Sequence, residues 1–427
     1  MATAAVLSPS LYGHRQTYCR VVAQILLADG YDVVVVAGVP PEVGPTDLCR
    51  YPLLSALETN PGFRFFPLPE SGLPSLLSSP GGFAVLLDRL GVDAVFLTEA
   101  DTCFRLLDSR VWRRGRDRRW VGVFIRTTNF RYQEEVPWRE TLVERALSGS
   151  RRLRRISRNR RPDARLLHKT LLPRLRLLDC ALYLDETFVW ECATASWLPD
   201  IYSAGAWQSD EDPPETSDWA PKVAEFMARQ RECPVFVYIG SNQARRGYDS
   251  LLRLAVAEGG CFVHCGRRRV GESYDVDVDA LRHELEQRGA LFETDGYYRS
   301  DATVDLFLKY AEVVVLPHRD HLGSSGVMLQ ALAARRPVLV PDRGLMAHRV
   351  RAYGLGRLYR HGDWGDLRRQ YRELEREGRQ GFVEDIESFM GFFSREQTEN
   401  AVRYAMGYGA RPASLPARPH APDDDTS

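Results

Sequence analysis

The stretch from Ala311 to Gly356 reads AEVVVLPHRDHLGSSGVMLQALAARRPVLVPDRGLMAHRVRAYGLG, and it decides the fold of the chain. Its run Val313 to Leu316 is apolar and mostly β-branched, which is typical of a strand buried in a parallel sheet. A glycine/serine turn at 323–326 opens a helix predicted over 327–334, and a second buried strand is predicted over 338–340. Strand, turn, helix and strand in this order predict a βαβ unit, and therefore an α/β fold.

The turn formed by Gly323, Ser324, Ser325 and Gly326 allows two interpretations. The first N–H groups of a helix are unpaired and carry partial positive charge, so phosphate binds well there. Glycines let a ligand approach the backbone, and serine hydroxyls add donors. The same residues also serve as turn and cap in an ordinary connection between a strand and a helix. The motif alone does not decide between the two.

The stretch resembles the donor-binding half of GT-B glycosyltransferases, above all the nucleotide-sugar enzymes of glycosyltransferase family four. That family carries two glutamates eight positions apart. Here the second position holds Gln330, and the first holds Leu322 with His321 beside it. Gln330 can still hydrogen-bond ribose hydroxyls, but it carries no charge. The resemblance rests on Ala311-Glu312-Val313, Leu316-Pro317, the glycine/serine turn, Gln330-Ala331-Leu332-Ala333, Pro337-Val338 and Gly354-Leu355-Gly356.

The resemblance implies a GT-B fold, in which two Rossmann-like domains with parallel sheets face each other across a cleft. A shift to Ser, Asp, Glu and Pro after residue 201 predicts a linker between them. The predicted organisation is an acceptor-side domain over 1–200, a linker over 201–232, a donor domain over 233–380, C-terminal helices crossing back to the first domain over 381–408, and a disordered tail over 409–427.

Composition narrows the class of protein. The 427 residues hold 57 basic and 57 acidic side chains, so no net charge points to nucleic acid. The basic residues are nearly all arginine, which suggests a bacterial source. The N-terminus has no basic region and no apolar run reaches about 18 residues, so we expect a cytoplasmic protein without a signal peptide or membrane span.

Neither the cysteines nor the aspartates predict a metal site. The eight cysteines form no CxxC pair, and those flanking His264 lie on a predicted strand, so we expect buried thiols. The string Asp275-x-Asp277-x-Asp279 resembles a DxD metal motif but is typical of an exposed loop. GT-B enzymes usually need no divalent metal, so the resemblance implies catalysis without metal or cofactor.

A loop after the first predicted strand carries Gly13, His14 and Arg15. Gly-His here resembles the motif of inverting family-one GT-B enzymes, whose histidine is the general base. Glu99 or Asp101, after a predicted strand over 92–97, would orient that imidazole. The alternative is that His14 caps the helix and the two acids are surface residues. Arg126 follows another predicted strand and would bind phosphate or a sugar hydroxyl, or be structural.

A second loop, Gly240 to Gly247, reads GSNQARRG after a strand predicted over 234–239. It resembles the family-four loop whose arginine and lysine hold the donor diphosphate. Ser241 replaces that arginine, and Arg246 matches the lysine with Arg245 beside it. Guanidinium groups suit diphosphate through bidentate hydrogen bonds, although paired arginines before a helix are often only solvated. The resemblance further places Gly296 and Tyr297 against the nucleotide base.

A basic run over 151–161 leads into a helix predicted over 163–177. One interpretation is weak contact of the 151–176 region with an anionic membrane surface. We favour a solvated helix face, because no aromatic anchors accompany the charges.

Together these features predict transfer of a glycosyl group from a nucleotide-diphosphate sugar to a hydroxyl acceptor, in a polysaccharide or small-molecule pathway. His14 is the base if the reaction inverts, and the donor phosphate takes the proton if it retains. Other candidates are a pseudo-glycosyltransferase, a sugar-nucleotide epimerase and a non-catalytic scaffold of the same fold. The sequence does not specify the sugar, the acceptor, the stereochemistry or the oligomeric state.

Overall fold

The computed structural model describes residues 1–11, 14–39, 51–69, 76, 81–100, 117–125, 178–191, 196–201, 219–230, 233–266, 268–294, 301–319 and 321–410. These residues form two compact units. Unit 1 contains the described residues of Met1–Ile201 and those from Phe393 onward, and unit 2 contains those of Tyr202–Phe392. The first and last described segments of the chain therefore share a unit.

Unit 1 is built on a parallel sheet whose described strands lie in the order β3-β2-β1-β4-β5-β6-β7. Six of the strands are almost fully buried, as expected where helices cover both faces of such sheets, whereas most residues of the edge strand β3 are partly exposed. The strands are β1 (Thr3–Ser8), β2 (Asp32–Val39), β3 (Phe63–Pro69), β4 (Ala94–Leu97), β5 (Arg119–Phe124), β6 (Cys180–Tyr183) and β7 (Ser196–Trp197). The described helices before residue 202 are α1 (His14–Ala28), α2 (Pro52–Ser55), α3 (Gly82–Arg89) and α4 (Glu186–Glu191).

Unit 2 contains two parallel sheets, in the orders β10-β9-β8 and β11-β12-β13, and β8 lies next to β11. Read through that neighbour pair, the six strands follow the 3-2-1-4-5-6 order of a Rossmann fold. The strands are β8 (Val235–Ile239), β9 (Cys261–Cys265), β10 (Leu291–Glu293), β11 (Val314–Val315), β12 (Val338–Pro341) and β13 (Gly356–Tyr359). The described helices are α5 (Trp219–Arg229), α6 (Tyr248–Ala257), α7 (Val278–Gln287), α8 (Asp301–Leu308), α9 (Gly326–Ala333), α10 (Gly344–Tyr353), α11 (Trp364–Glu377) and α12 (Val383–Met390).

The opening stretch folds as its pattern predicts. The expected strand is β11, which is shorter than the predicted run, and the expected helix is α9, which begins at Gly326. β12 follows it and pairs in parallel with β11, with Val314 opposite Val338. The α/β fold with parallel sheets is confirmed.

Part of the segment predicted as a linker is helical. Residues 219–229 form α5, where Val223 and Phe226 are buried and the Phe226 ring lies 5.5 Å from that of Phe292. These two buried residues are three positions apart, which is the spacing of residues on one face of a helix. The many polar residues just before the helix hid this pattern in the sequence.

The C-terminal apolar run from Phe382 to Met406 contains two helices. α12 ends before a 3₁₀ turn, Gly391–Phe393, and Ser394 then caps α13 (Arg395–Met406) by accepting a hydrogen bond from the Gln397 N–H at 3.3 Å. α12 belongs to unit 2 and α13 to unit 1.

In unit 1, α13 packs against α1, β5 and β6. Arg403 donates to both carboxylate oxygens of Asp29, at 3.0 and 3.2 Å, and Tyr408 donates to the same carboxylate at 2.8 Å. The Arg119 guanidinium donates to the Ala405 carbonyl at 2.7 Å. None of the described helices combines the length and the apolar composition needed to cross a bilayer.

Candidate functional site

The candidate site of unit 2 lies where β8, β9 and β11 end. The carboxyl ends of parallel strands meet at one edge of the sheet, and open α/β sheets bind ligands there. Three segments leave that edge: Gly240 to Gly247, the described part of 266–277, and 316–325.

The segment from Gly240 to Gly247 is held by its own hydrogen bonds. The Tyr238 hydroxyl donates to the Ser241 carbonyl at 2.8 Å and accepts from the Gln243 N–H at 3.3 Å. Burial raises the pKa of Tyr238, so this hydroxyl stays protonated. The Gln243 amide donates to the Ser241 hydroxyl oxygen at 2.9 Å. The side chain of Ser241 thus helps to shape the loop.

Two arginines, Arg245 and Arg246, lie near the end of this segment. Ala244–Arg246 is a 3₁₀ turn, and Gly247 follows with φ +71° and starts α6. A Cβ at Gly247 would overlap the Pro317 carbonyl, so the end of the loop after β8 packs against Pro317, two residues after β11. The close approach requires glycine.

Two side chains, Asn242 and Arg319, hold the segments beside this loop in place. Asn242 donates to the Tyr274 hydroxyl at 2.9 Å and accepts from the Arg269 N–H at 2.5 Å, which ties down the segment after β9. Arg319 pairs with the buried Asp249 and, at 2.6 Å, with Asp275, which ties down the segment after β11.

Arg245, Arg246, His318 and His321 form a basic cluster at this edge. Among the described residues, no carboxylate lies within ion-pair distance of either arginine, and neither guanidinium donates a hydrogen bond. Burial and the charge of Arg246 lower the pKa of Arg245, although Tyr238 and Glu272 act in the opposite direction. The cluster therefore carries positive charge that the described part of the protein leaves largely uncompensated.

The two histidines are neutral members of this cluster. Their rings lie edge to face with centroids 5.2 Å apart. Burial lowers the pKa of His318 well below its ordinary value, and His321, Arg246 and Arg245 lower it further. Burial also lowers the pKa of His321, with Arg246 and Arg245 adding to the effect and a hydrogen bond to the Ser324 carbonyl at 2.8 Å opposing it. The His318 Nδ1 atom is buried without a hydrogen-bond partner among the described residues.

The serine hydroxyls of the glycine/serine turn are used within the protein. The Ser325 hydroxyl oxygen caps α9 by accepting from the Met328 N–H at 3.4 Å. The Ser324 hydroxyl oxygen accepts from the fully buried Arg349 at 3.0 Å. What the turn presents is therefore the backbone N–H groups at the start of α9, and Gln330 is fully buried one turn further on.

In unit 1, Glu99 is 2% exposed and its carboxylate lies 2.5 Å from the Arg15 guanidinium, which also donates to Ser10. His14 is the first residue of α1, but its side chain lies outside the described residues. The predicted dyad of His14 with Glu99 or Asp101 therefore stays a prediction. Also outside the described residues are Gly13, Asp101, Arg126, Gly296, Tyr297 and the 151–176 region.

The aspartate string after β9 has structural contacts. Asp275 pairs with Arg319, and Asp277 caps α7 by accepting from the Ala280 N–H at 2.9 Å. Among the described residues, no group of three or more His, Cys, Asp or Glu side chains is arranged to hold a metal ion. Burial raises the pKa of the Cys261 thiol to about 12, which keeps it protonated.

The sequence did not single out His318, Asn242 or Asp249. His318 comes two residues after the end of the predicted strand 313–316, so its position at the carboxyl edge was available as a signal. The partners of Asn242 and Asp249 lie 27 to 70 residues away, and no local pattern marks them.

Solved structures of the GT-B class resemble the whole chain. Sucrose-phosphate synthase from Thermosynechococcus elongatus is 15% identical, with a TM-score of 0.62, over 95% of this chain and 98% of that one. HepE from Anabaena, solved in complex with UDP, is 11% identical, with a TM-score of 0.59, over 95% and 99%. WaaG, a glycosyltransferase involved in lipopolysaccharide biosynthesis, is 14% identical, with a TM-score of 0.54, over 95% and 100%.

These likenesses show that the chain has the GT-B fold. No family model and no curated protein matches the sequence. Membership of glycosyltransferase family four stays a prediction from the sequence resemblance.

Proposed function

We propose that this protein is a glycosyltransferase that moves a glycosyl group from a nucleotide-diphosphate sugar to a hydroxyl acceptor. The observation that carries the proposal is the basic cluster at the carboxyl edge of unit 2, beside the start of α9. Its arginines lack described carboxylate partners, so a bound anion would supply the missing charge. The GT-B fold and its glycosyltransferase neighbours agree with this assignment.

The cluster would act on the leaving group. As the glycosyl bond breaks, negative charge grows on the departing diphosphate, and fixed positive groups nearby lower the energy of that state. Arg246, with Arg245 beside it, would hold the diphosphate through paired N–H donors. The N–H groups of Gly326 and Val327 at the start of α9 would bind the same anion. His321 lies at this edge, where it contacts the Ser324 carbonyl. The sequence resemblance assigns the ribose contact to Gln330, whose side chain is fully buried in this structure and would have to become accessible on binding.

The structure refines the roles predicted for the serines. The hydroxyls of Ser241, Ser324 and Ser325 each accept a hydrogen bond inside the protein. We therefore assign them to shaping the site, and assign the binding to backbone N–H groups near Gly323 and Gly326. Catalysis without metal follows in this proposal, because guanidinium groups supply the positive charge.

The acceptor side is proposed from the sequence resemblance. If the reaction inverts, His14 is the base, and the Arg15–Glu99 pair fixes the start of α1 beside it. If it retains, the donor phosphate takes the proton. A cytoplasmic location, weak membrane contact through 151–176, and base stacking on Tyr297 beside Gly296 belong to the same proposal. Gly13, Asp101 and Arg126 also belong to the acceptor side in this proposal.

A non-catalytic nucleotide-binding or scaffold protein is the second candidate. Leu322 and Gln330 stand at the two positions where family four has glutamates, and this departure favours it. The same departure is compatible with a pseudo-glycosyltransferase that uses a cyclitol donor. An epimerase would use the same nucleotide site without an acceptor.

The proposal is tested by thermal unfolding with UDP-, GDP-, dTDP- and ADP-sugars and with the free diphosphates. A ligand present at 100 times its Kd stabilises the folded protein by about 2.7 kcal/mol. We expect one nucleotide to stabilise the wild type, and Arg246→Ala to weaken its binding about 10- to 100-fold, because charge-assisted hydrogen bonds are lost. Arg229→Ala is the matched control, since Arg229 is an exposed arginine of unit 2 on α5.

Release of the nucleoside diphosphate from the bound nucleotide sugar distinguishes the candidate functions. Slow release in water, accelerated by an acceptor, supports transfer. Tight binding without any turnover supports the scaffold. A folded wild-type protein that binds none of the nucleotides contradicts the proposal.

A further inference from the structure

His264 lies beneath the candidate site without being exposed to it. It is on β9, the middle strand of the β10-β9-β8 sheet, and it is fully buried. Its ring packs against Tyr238 and Tyr248, with centroid distances of 5.4 and 5.3 Å. A buried polar ring in this apolar setting needs hydrogen-bond partners.

Both ring nitrogens face oxygen acceptors. Nε2 lies 2.9 Å from the Gly240 carbonyl oxygen, and Nδ1 lies 3.4 Å from Oε1 of Glu293. The ring can donate to both only when both nitrogens carry hydrogen. The contact of Nε2 is with the first residue of the loop that presents Arg245 and Arg246.

Glu293 is held from several sides. Tyr248 donates to Oε1 at 3.1 Å, and Arg282 pairs with Oε2. Burial by itself raises the pKa of Glu293, but hydrogen bonding from His264 and the charge of Arg282 outweigh it and leave the pKa lowered. Glu293 is therefore an ionised acceptor that orients the imidazole.

Gly240 connects this buried network with the basic cluster. Its φ is +109°, and the Nη1 atom of Arg246 lies 2.5 Å from the place where a Cβ would stand. A Cβ at Gly266 would overlap the Gly240 carbonyl oxygen, the group that also accepts from His264. A shift of the Gly240 peptide therefore moves the surface against which the Arg246 guanidinium rests.

We infer that His264 is a positioning residue. Through its Nε2–H bond to the Gly240 carbonyl, it fixes the loop that aims Arg246 at the donor diphosphate. The role in donor binding rests on the proposed function, whereas the fixing of the loop does not.

Two variants of nearly the same polarity distinguish the contact of Nε2 with Gly240 from that of Nδ1 with Glu293. In His264→Gln the side-chain amide reaches the place of Nε2 and can still donate to Gly240, whereas in His264→Asn it reaches only the place of Nδ1. Hydrogen exchange of the 240–247 amides reports on the loop without any ligand. We expect exchange about tenfold faster in the asparagine variant, the size expected for one lost buried hydrogen bond, and nearly unchanged in the glutamine variant.

Tyr248→Phe is the control for general loosening, because it removes a bond to Glu293 and leaves the His264–Gly240 contact. It should change exchange of the 240–247 amides less than the asparagine variant does. Equal exchange in the glutamine and asparagine variants would overturn the inference.

Binding of free nucleoside diphosphate is the second readout. The asparagine variant should raise Kd about tenfold, and the glutamine variant should stay within about threefold of the wild type. If the wild type binds no nucleotide but exchange follows the expected pattern, the proposed function fails and the positioning of the loop stands. If the wild type binds and the variants do not differ in Kd, the link from His264 to Arg246 is wrong.

Discussion

At the scale of single residues, the protonation of His318 and His321 makes the charge of the candidate site depend on pH. Both are buried next to Arg245 and Arg246, and burial followed by these charges holds their pKa values below about 6.5, the ordinary value for histidine. The carbonyls of Arg246 and Ser324 act in the opposite direction without cancelling the effect. The free protein therefore keeps two neutral imidazoles beside two permanent cations.

The lowered pKa of His318 predicts that stability falls in mild acid. Between the folded and unfolded pKa values, the unfolded chain binds more protons than the folded one, so stability is fully present above about pH 6.5 and is lost as the pH falls. One such group contributes a slope of at most about 1.4 kcal/mol per pH unit. We expect His318→Gln to lose less stability than the wild type between pH 7.5 and 5.5, as measured by urea unfolding.

His283→Gln provides the comparison, because His283 is exposed on α7. It should keep the pH dependence of the wild type. Identical slopes in His318→Gln and the wild type would contradict the assignment of His318 as a buried neutral group.

The sequence predicted the position of the paired arginines but not the partners of the serines. The string GSNQARRG after an apolar strand places Arg245 and Arg246 at the carboxyl edge, because strand and turn signals are local. The hydroxyl of Ser324 accepts from Arg349, 25 residues further on, and nothing in the local pattern announces that bond. Chemistry that depends on distant partners needs the fold.

At the scale of elements, the two glycines that flank α6 give a matched experiment. Gly247, before the helix, has φ +71°, and Gly259, after it, has φ +67°. Alanine at either position meets the cost of a left-handed backbone. A Cβ at Gly259 meets no atom within 4 Å, whereas at Gly247 it meets the Pro317 backbone.

We expect Gly247→Ala to destabilise the protein by about 1–3 kcal/mol more than Gly259→Ala, since overpacking adds to the backbone cost. Urea unfolding of the two variants measures the difference. Equal losses of stability in the two variants would mean that the loop after β8 can move away from Pro317.

The predicted boundaries of helices and strands agree with the structure where a run is uniformly buried. They differ from it where a capping residue starts a new helix. The run predicted as a strand over 234–239 is β8, Val235–Ile239, whose last four residues are buried. The sequence predicted helices over 381–408 but no boundary within that run. Gly391 and the Ser394 cap divide it, since a capped N-terminus satisfies the free N–H groups of a new helix.

At the scale of the whole molecule, α13 belongs to the unit that begins the chain. Its Ala401, Val402, Ala405 and Met406 are buried in unit 1. The two-domain α/β organisation was predictable from repeated βαβ patterns and the resemblance. The resemblance implied only that the C-terminal helices cross back to the first domain. That α12 belongs to unit 2 and α13 to unit 1 was not predictable, because an apolar face does not specify the surface against which it packs.

Removal of residues 394–427 should therefore destabilise unit 1 and leave unit 2 intact. Burial of Val402 and Met406 alone is worth roughly 3–6 kcal/mol, a large part of the stability of a domain. We expect hydrogen exchange to become fast in β1 and β2 and to stay slow in β8 and β9. Removal of 411–427 is the control, because it leaves α13 in place. Fast exchange in unit 2 instead would contradict the assignment of α13.

The return of the chain to unit 1 also has a consequence during synthesis. Domains usually fold as they emerge from the ribosome, the N-terminal one first. Here the described residues of unit 2 end at Phe392, while unit 1 still lacks the helix that packs on β5 and β6. We therefore expect the nascent first unit to expose the apolar surface that α13 later covers, and to aggregate more readily than unit 2 when synthesis stalls before residue 394.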